Sequence, residues 1–438
     1  MVSISLIVET REIDPVEDLL TYAHPSAPLA WLRRGDGIVA VGDGDGIVAV
    51  GDGMPVSIRV PAGRGSMRSV LIADAWREIA AASDIDDPVG IPGTGLVGFG
   101  ALTFDEDSAE DSVLIVPSII LGKHRGRGFI TRIAPLGQDL PQDLPDATLE
   151  PRAYGTHWAG TLGPGAQTPA GYQDSVRTAL SRIGAGEMSK VVLARDLAGS
   201  IPVGSDLRRL VRALSTGYPD TWTFSVDGLI GASPETLVTV QGGNVTARVL
   251  AGTIGRGADA DEDGEASAHL ASSTKDLDEH QYAVQSLLTS LRPHVRAMAS
   301  SEQPFLLKLP NLFHLATDVE GELSDGGSAL DLVGALHPTA AVAGTPTDAA
   351  IAAIKEIEPF DRGRYAGPVG WIDANGNGEW AIALRCAQFE VGAARGSADA
   401  DTIGVTAYAG AGIVAASDPE TELLETRVKF RPLVDALA

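Results

Sequence analysis

Two pairs of acidic residues have a spacing that is typical of either a metal-binding or a solvated helix face. Asp276 and Glu279 are three residues apart, as are Glu422 and Glu425, so each pair projects from one side of a predicted helix. Like charges at this spacing destabilise an isolated helix, and a bound cation or full solvation relieves the repulsion. Mg²⁺ binds oxygen ligands, commonly one or two carboxylates together with substrate oxygens and water. The spacing alone leaves both interpretations open.

Two lysines are candidates for anion binding or proton transfer. Lys429 lies four residues after Glu425 on the same helix face, where it is placed to pair with that glutamate or to meet a substrate carboxylate. Lys190 begins an apolar run whose alternation puts Lys190, Val192 and Ala194 on one face of a strand. A lysine in such a strand usually extends its amine into solvent at a sheet edge. The functional alternative is a desolvated neutral amine that acts as a general base.

Glu235 and Arg385 are the other two charged candidates. Pro234 fixes the backbone immediately before Glu235, which holds the carboxylate in place, although by itself this is an ordinary turn acid. Arg385 lies in the apolar run Glu379–Phe389, which predicts a strand, and its guanidinium suits bidentate recognition of a carboxylate. An arginine that reaches solvent from an edge strand is the alternative interpretation.

Glycine-rich segments give weaker signals. Residues 93–98 match GxGxxG, but a strand-like run follows where a dinucleotide site needs a helix N-terminus, so glycines in a strand and turn are the better interpretation. Gly410 and Gly412 lie in a run that allows bare backbone N–H groups to approach an anion. The sequence contains no GxxxxGK[ST], no HExxH and no GxSxG motif.

Composition restricts the class of protein. The 438 residues exceed the roughly 250–300 that one hydrophobic core serves, which predicts two lobes or one large elaborated unit. The formal charge of −25 disfavours nucleic acid or an anionic membrane as a partner, since both need a basic surface. To bind an anionic substrate, such a protein would need local positive charge in its binding site, from a metal ion or from Arg and Lys side chains. The single cysteine, Cys386, and a first segment without a basic leader predict a cytoplasmic protein.

The first 150 residues are predicted to be a β-rich portion. Short aliphatic runs interrupted by Gly and Pro predict strands such as Val2–Val8, Leu96–Phe104 and Ser112–Leu121. A nine-residue segment, 35–43, is repeated directly at 44–52, which we interpret as a duplicated strand and turn. The polar, Pro-rich stretch 138–151 is the candidate linker to residues 151–438.

The remaining portion mixes helices and strands without strict βαβ alternation. The fold class is therefore predicted to be α+β, a large layered β-sheet structure with flanking helices, and both portions are expected to form one intertwined unit. An acidic segment, Asp259–Glu265, is predicted to be a mobile loop. The predicted helices are Tyr172–Ile183, Leu207–Leu214, Ser273–Ala299, Ala329–Leu336, Thr347–Ile357 and Pro419–Leu437.

Together these segments resemble the chorismate-utilising enzymes, namely the isochorismate, salicylate, anthranilate and aminodeoxychorismate synthases. The resemblance covers about residues 165–435 and implies an anthranilate synthase component I-like fold. It rests on separate motifs in one order: SKVVLAR, GASPETL, LAGT, STKDLDEH, HPTAAVAGTP, GRYAGPVGW, GNGEWAIALRCA, AYAGAGIV and ETELLETRVK.

The resemblance implies a role for each candidate residue. Glu279 and Glu425 would bind Mg²⁺ directly, with Asp276 and Glu422 acting through water. Asp276 departs from the glutamate that many members carry, and the shorter acid suits an outer position. The metal would bind the ring carboxylate of chorismate. The enolpyruvyl carboxylate and the rest of the substrate would be held by Tyr365, Arg385, Gly410, Gly412, Gly252, Thr253, His314, Ala341 and Lys429.

The chemistry implied is a hydroxyl shift on the ring. Lys190 would accept a proton from the water that attacks C2, and Glu235 would protonate the departing 4-hydroxyl group. Ala251 stands where aminodeoxychorismate synthases have a nucleophilic lysine, and Ala341 stands where salicylate synthases often have threonine. An isochorismate synthase serving menaquinone or siderophore synthesis is therefore expected, with a salicylate synthase as the alternative and a non-catalytic regulatory subunit as a remote one. A monomer is expected.

Overall fold

The structure is a computed structural model, and it describes residues 4–41, 48–49, 54–55, 57–61, 68–140, 151–391 and 401–438. The first copy of the nine-residue repeat supplies the strand Asp36–Ala40. Most of the second copy, and residues 141–150 of the predicted linker, lie outside the described residues. The division of the chain at residue 150 stays a prediction.

Strands are the main regular secondary structure in the N-terminal third of the described chain. β-Branched and aliphatic residues dominate these strands, as expected for side chains that pack on a pleated surface. They are β1 (Leu6–Ile13), β2 (Ala30–Arg33), β3 (Asp36–Ala40), β4 (Val48–Ala49), β5 (Met54–Pro55), β6 (Ser57–Val60), β7 (Asp84–Asp86), β8 (Val97–Ala101), β9 (Ser112–Ile115), β10 (Ile119–His124) and β11 (Arg127–Pro135).

The later strands are interspersed with helices. They are β12 (Thr161–Pro164), β13 (Lys190–Pro202), β14 (Trp222–Val226), β15 (Leu229–Ser233), β16 (Thr236–Gln241), β17 (Asn244–Gly255), β18 (Val295–Ser300), β19 (Phe305–Lys308), β20 (Leu312–Leu323), β21 (Gly344–Thr345), β22 (Pro368–Asp373), β23 (Gly378–Ile382), β24 (Cys386–Phe389) and β25 (Thr402–Val414).

Five of the described α-helices begin at a residue whose side chain accepts a hydrogen bond from a free backbone N–H group. Ser328 and Asp331 form a capping box, and Asp418 caps the last helix immediately before Pro419. A short 3-10 helix covers Leu19–Tyr22. The α-helices are α1 (Arg68–Ala82), α2 (Pro169–Gly184), α3 (Arg208–Gly217), α4 (Ala260–Ser272), α5 (Thr274–Leu291), α6 (Ala329–Leu336), α7 (Thr347–Ile357) and α8 (Pro419–Leu437).

Two large sheets hold nearly all of the described strands. The first has the order β12-β13-β25-β24-β15-β14-β2-β3-β10-β11-β1-β7, with β21 beside β13. The second has the order β18-β20-β17-β16-β23-β22-β8-β9-β6, with β19 beside β20. Strands from the first 140 residues therefore pair with later strands in both sheets, β2 with β14 and β8 with β22. This α+β architecture of sheets with flanking helices confirms the predicted fold class.

The largest apolar cluster contains side chains from both sheets. Trp31 and Phe224 of the first sheet belong to the same cluster as Phe99 and Trp380 of the second, and all four are almost fully buried. The Trp31 indole also donates a hydrogen bond of 2.9 Å to Glu379 in β23. Core packing and this bond join the two sheets.

Three predictions about secondary structure were wrong. Helix α1 was missed in a region predicted to contain strands only. The predicted mobile loop at Asp259–Glu265 belongs to helix α4, because Asp259 caps it and the following acidic residues favour the positive helix N-terminus. The helix predicted to extend to residue 299 ends at Leu291, because Pro293 has no backbone N–H with which to continue the helical hydrogen bonds.

A search of the helices in the described part of the chain found none with the length and apolar character needed to span a membrane.

Candidate active site

All the residues proposed for the site from sequence line one cavity of about 320 Å³. Residues far apart in the chain meet there because β13, β17, β20 and β25 lie against helices α5 and α8. The set comprises Lys190, Glu235, Gly252, Thr253, Asp276, Glu279, His314, Ala341, Tyr365, Arg385, Gly410, Gly412, Glu422, Glu425 and Lys429. Their individual roles stay predictions.

Lys190 is buried in the interior of the first sheet. It pairs with Val414 of β25 on one side and Thr345 of β21 on the other, so the edge-strand interpretation was wrong. Its Nζ lies 2.7 Å from Glu279 Oε1, and its residue is only 7% exposed. The predicted role of Lys190 as a base therefore requires a state in which this ion pair is open.

Gly412 provides the space that the Lys190 side chain occupies. A Cβ atom at this glycine would lie 3.1 Å from Lys190 Cε and 3.1 Å from Glu279 Oε1. Those distances are tighter than ordinary van der Waals contact, so a larger residue would displace the pair. The glycines of β25 therefore keep this wall of the cavity open.

Glu235 lies in the short connection between β15 and β16. Its backbone N–H donates to the Ser233 hydroxyl at 3.2 Å, and its carbonyl accepts from Ile382 N–H at 3.1 Å, which fixes the position of the residue. Burial raises the pKa of its carboxyl to about 7, against the opposing influence of Lys190, Lys429 and Arg385. A carboxyl that keeps its proton near neutrality suits a general acid, in agreement with the predicted direction.

Arg385 does not lie within a strand, contrary to the prediction. It occupies the break between β23 and β24 with a φ of 50°, a conformation that non-glycine residues rarely adopt. Its side chain is buried instead of reaching solvent, and burial lowers its pKa to about 10. Its Nη1 has no hydrogen-bond partner among the described residues. A buried guanidinium with a free donor in a cavity suits a carboxylate ligand.

A β-bulge at Gly252 shapes the opposite wall. The register of β17 against β20 shifts between Ala251 and Thr253, and Gly252 has a φ of 80°. His280, next to Glu279 on α5, has its Nδ1 3.2 Å from the Ala251 carbonyl. The carbonyl can only accept, so His280 donates this bond and fastens α5 to the bulge. Sequence reasoning missed His280, although it is part of the STKDLDEH motif.

Two further side chains, Lys429 and Tyr365, line the part of the cavity that is predicted to bind the substrate carboxylate. Lys429 Nζ lies 2.6 Å from Glu425 Oε1 and donates to the Gly410 carbonyl at 2.8 Å. The Tyr365 ring stacks on Tyr408 with centroids 5.1 Å apart. Burial raises the pKa of the Tyr365 hydroxyl well above its usual range, so this group is a neutral donor.

Sequence reasoning missed a buried ion pair at the edge of the cavity, where Arg362 contributes to the lining. Arg362 binds Glu358 with two nitrogens, at 2.8 and 2.6 Å, and both side chains are almost fully buried. The guanidinium also donates to the carbonyls of Val192 and Val342, at 2.7 and 3.0 Å. Val192 lies in the same strand as Lys190, and Val342 directly follows Ala341. The ion pair therefore links the two segments that carry Lys190 and Ala341.

A comparison with known proteins agrees with this arrangement. The model of the family described as chorismate binding enzyme matches residues 43–438. The chain belongs to the chorismate binding enzyme family.

Two similar proteins align with this chain over most of their own length. Isochorismate synthase DhbC of Bacillus subtilis is 42% identical over 281 residues, which cover 61% of this chain and 68% of the relative. A putative isochorismate synthase MenF of Mycobacterium tuberculosis is 36% identical over 359 residues, which cover 79% and 87%.

Solved structures of the family share the fold. A putative 2,3-dihydroxybenzoate-specific isochorismate synthase, DhbC, from Bacillus anthracis has a TM-score of 0.72 at 30% identity, covering 96% of this chain and 98% of the other. Anthranilate synthase component I from Streptococcus pneumoniae has a TM-score of 0.64 at 20% identity, covering 98% and 92%. The expected component I-like fold is confirmed.

The carboxylates of the cavity have the donor chemistry that Mg²⁺ requires. Asp276, Glu279, Glu422 and Glu425 supply hard oxygen ligands from two adjacent helices. Within the described ranges, however, no three His, Cys, Asp or Glu side chains converge closely enough to hold an ion. Glu279 and Glu425 instead bind the ammonium groups of lysines. The donor set therefore fits Mg²⁺ in kind, and each of these two carboxylates is also paired with a lysine.

Proposed function

We propose that this protein is a magnesium-dependent isochorismate synthase, which converts chorismate to isochorismate. One observation carries the proposal: a single cavity contains a buried amine, a buried carboxyl with a pKa of about 7, and a buried arginine with a nitrogen that has no partner in the described part of the chain. These are the groups needed to activate water, to protonate a leaving hydroxyl and to hold a carboxylate. The printed names of similar proteins, which are isochorismate synthases, support it.

The substrate would be oriented by its side-chain carboxylate. Arg385 Nη1 and the neutral Tyr365 hydroxyl are the donors available for it. A Cβ atom at Gly410 would lie 3.2 Å from the Tyr365 hydroxyl, so a glycine there leaves the carboxylate room beside this donor. A side-chain carboxylate bound by Arg385 and Tyr365 would leave the substrate ring between Lys190 and Glu235.

Proton transfer would proceed from one side of the ring to the other. The Lys190 amine, once free of Glu279, removes a proton from water, and the water oxygen bonds to C2. The two ring double bonds shift, the bond from C4 to its hydroxyl oxygen breaks, and Glu235 donates its proton so that water leaves. The product has the same composition as the substrate, and each proton-transfer group contributes a factor of ~10²–10⁴ in rate.

Mg²⁺, when bound by Glu279 and Glu425 with Asp276 and Glu422 outside them, would neutralise the ring carboxylate. The protein carries a formal charge of −25, so an anionic substrate needs such local compensation. Lys429 and Arg385 supply the remaining positive charge in the cavity.

Product analysis tests the proposal. Purified protein is incubated with chorismate and Mg²⁺, isochorismate is measured by chromatography, and pyruvate is measured with lactate dehydrogenase. Isochorismate without pyruvate is expected. Stoichiometric pyruvate and salicylate would instead identify a salicylate synthase, and binding of chorismate without turnover would identify a non-catalytic subunit. Omitting Mg²⁺ is the matched control and should abolish turnover.

A further inference from the structure

A second cavity lies next to the active site, and none of the described residues lines both. Its volume is about 480 Å³, which is typical of a small-molecule site. The segment 337–342 separates the two cavities, since its first two residues line the second cavity and its last two line the active site. The second cavity lies between the start of α1, the segment after β8 and the helices α6 and α7, and its apolar walls comprise Leu102, Phe104, Val333, Pro338, Ile351 and Pro368.

Arg68 places a fixed positive charge in the lining of the second cavity. The residue is 5% exposed, and its guanidinium donates to the Thr103 hydroxyl at 3.0 Å and to the carbonyls of Glu110 and Ser108 at 2.8 and 2.6 Å. None of these acceptors is charged, and Arg68 Nε has no hydrogen-bond partner among the described residues. A buried guanidinium with neutral partners and an unused donor favours an anionic ligand.

His337 contributes an unused acceptor to the same lining. Its Nε2 lies 3.0 Å from the Phe104 carbonyl, which can only accept, so Nε2 carries the proton. Burial lowers the pKa of the ring to about 4, so Nδ1 is unprotonated near neutral pH. Nδ1 is buried and has no hydrogen-bond partner in the described part of the chain. A ligand with a donor group would therefore satisfy His337, whereas Arg68 needs an acceptor.

The other charged side chains of the lining restrict the kind of anion. Lys355 is already paired with Asp105 and Asp107, at 2.9 and 2.8 Å. Glu106 and Asp348 also line the second cavity and are exposed residues, so they would repel a ligand with several negative charges. A ligand with a single carboxylate on a mainly apolar body meets these conditions.

We propose that the second cavity is a separate ligand site, which binds a small hydroxycarboxylate with an apolar body. The ligand carboxylate accepts from Arg68, its hydroxyl group donates to His337 Nδ1, and its body packs against the apolar walls. Binding recovers the free energy that two buried polar atoms lose without hydrogen-bond partners. Because the site shares no lining residue with the active site, it does not depend on the proposed function.

Hydroxybenzoates are suitable probes, because each combines one carboxylate, one hydroxyl group and a flat apolar ring. Ligand-detected NMR titrations at pH 7 measure the affinity of the protein for 2-, 3- and 4-hydroxybenzoate, benzoate and phenol. The best isomer should bind roughly tenfold more tightly than benzoate, which lacks the donor, and more than about tenfold more tightly than phenol, which lacks the charged acceptor. Absence of binding by all three isomers, or equal affinity for benzoate or phenol, overturns the proposal.

Two tryptophan variants locate the bound probe. Ala352 is an exposed residue of α7 that lines the second cavity, so Ala352→Trp should obstruct it and weaken binding of the best isomer at least about tenfold. Ala81 is an exposed residue near the end of α1 outside this lining, so Ala81→Trp is the matched control and should bind like the wild type. Circular dichroism checks that both variants fold. Binding that persists in Ala352→Trp would place the probe elsewhere, the active site included, and contradict the proposal.

Nitrogen NMR tests the contact with His337. The chain has eight histidines, so ¹⁵N-histidine labelling gives few signals, and a His337→Gln variant identifies those of His337 by their loss. The Nδ1 signal of His337 should shift when the hydroxybenzoate binds, because an unprotonated nitrogen gains a donor, and should shift much less with benzoate. An unchanged signal at saturation shows that the hydroxyl group does not bind His337 and overturns the assigned site.

Discussion

Lys190 Nζ lies 2.7 Å from Glu279 Oε1 inside the cavity, with 8% and 14% of the two side chains exposed. The proposed base and a proposed metal ligand are therefore partners of each other. Glu279 cannot neutralise both cations fully, so Lys190 and a bound Mg²⁺ ion would compete for this one carboxylate.

This competition predicts tighter metal binding when the lysine is removed. Lys190→Met should bind Mg²⁺ about tenfold more tightly than the wild type without chorismate, a gain of ~1.4 kcal/mol. Isothermal titration calorimetry measures the effect. Lys355→Met is the matched control, because Lys355 pairs with Asp105 and Asp107 away from the active site and should leave Mg²⁺ affinity unchanged. Unchanged or weaker binding by Lys190→Met would show that no competition exists.

Loss of the base should separate chemistry from binding. Lys190→Ala is expected to lower kcat at least ~10²-fold, the contribution typical of a general base, while chorismate still binds. Steady-state kinetics and equilibrium binding check the two halves of this expectation. A variant that keeps more than about a tenth of the wild-type rate would mean that another group accepts the proton.

The pKa of Glu235 predicts how activity depends on pH. The general acid must carry its proton, so kcat/KM should fall as the pH rises through about 7. Glu235→Gln cannot donate a proton and should lose this alkaline limb together with most of the activity. A wild-type profile that is flat from pH 6 to 9 would exclude Glu235 as the acid in the free enzyme.

The same group predicts how stability depends on pH. The folded-state pKa of about 7 lies above the ordinary value of 4.5, so the proton stabilises the fold. This contribution is complete below pH 4.5 and is lost as the pH rises through 7. Glu235→Gln has no such dependence. Relative to the wild type, the variant should therefore be more stable at pH 8 than at pH 5, by about 2–3 kcal/mol of unfolding free energy. Urea unfolding at both pH values measures the difference.

The buried pair Glu358–Arg362 predicts a stability effect. Arg362→Leu leaves an uncompensated buried carboxylate and should cost about 3–5 kcal/mol of unfolding free energy, measured with urea. Adding Glu358→Leu should recover part of that loss, since it removes the unpaired charge. Arg296→Ala breaks an exposed pair with Glu322 and should leave the free energy of unfolding nearly unchanged. Equal effects of the buried and exposed changes would contradict this account.

Local signals in the sequence predicted several elements to the residue. Helices α6, α7 and α8 have the predicted bounds, because a capping residue or a proline marks the start and an apolar period continues to the end. Helix α4 was missed because its acidic composition resembles a disordered loop. Only the cap at Asp259 and the charge at the helix N-terminus indicate otherwise.

The site was predictable as a set of residues but not as a geometry. The motifs indicated which residues meet in the cavity, yet spacing left the acidic pairs undecided between metal and solvent. Arg362 was missed, although Glu358 lies only four residues before it, because the sequence does not show the contacts that tie this pair to the cavity, such as the bond to the Val192 carbonyl 170 residues away. The left-handed backbone of Arg385 was missed because its neighbours read as one continuous strand.

The pairing of early strands with late ones determines when the molecule can be completed during synthesis. Strand β2 pairs with β14, which begins at Trp222, and β8 pairs with β22, which begins at Pro368. At roughly 5–20 residues per second, the ribosome delivers these partners on the order of ten seconds or more after the early strands emerge. Open strand edges persist throughout that interval. Slower translation would therefore prolong the exposure of these strand edges to aggregation.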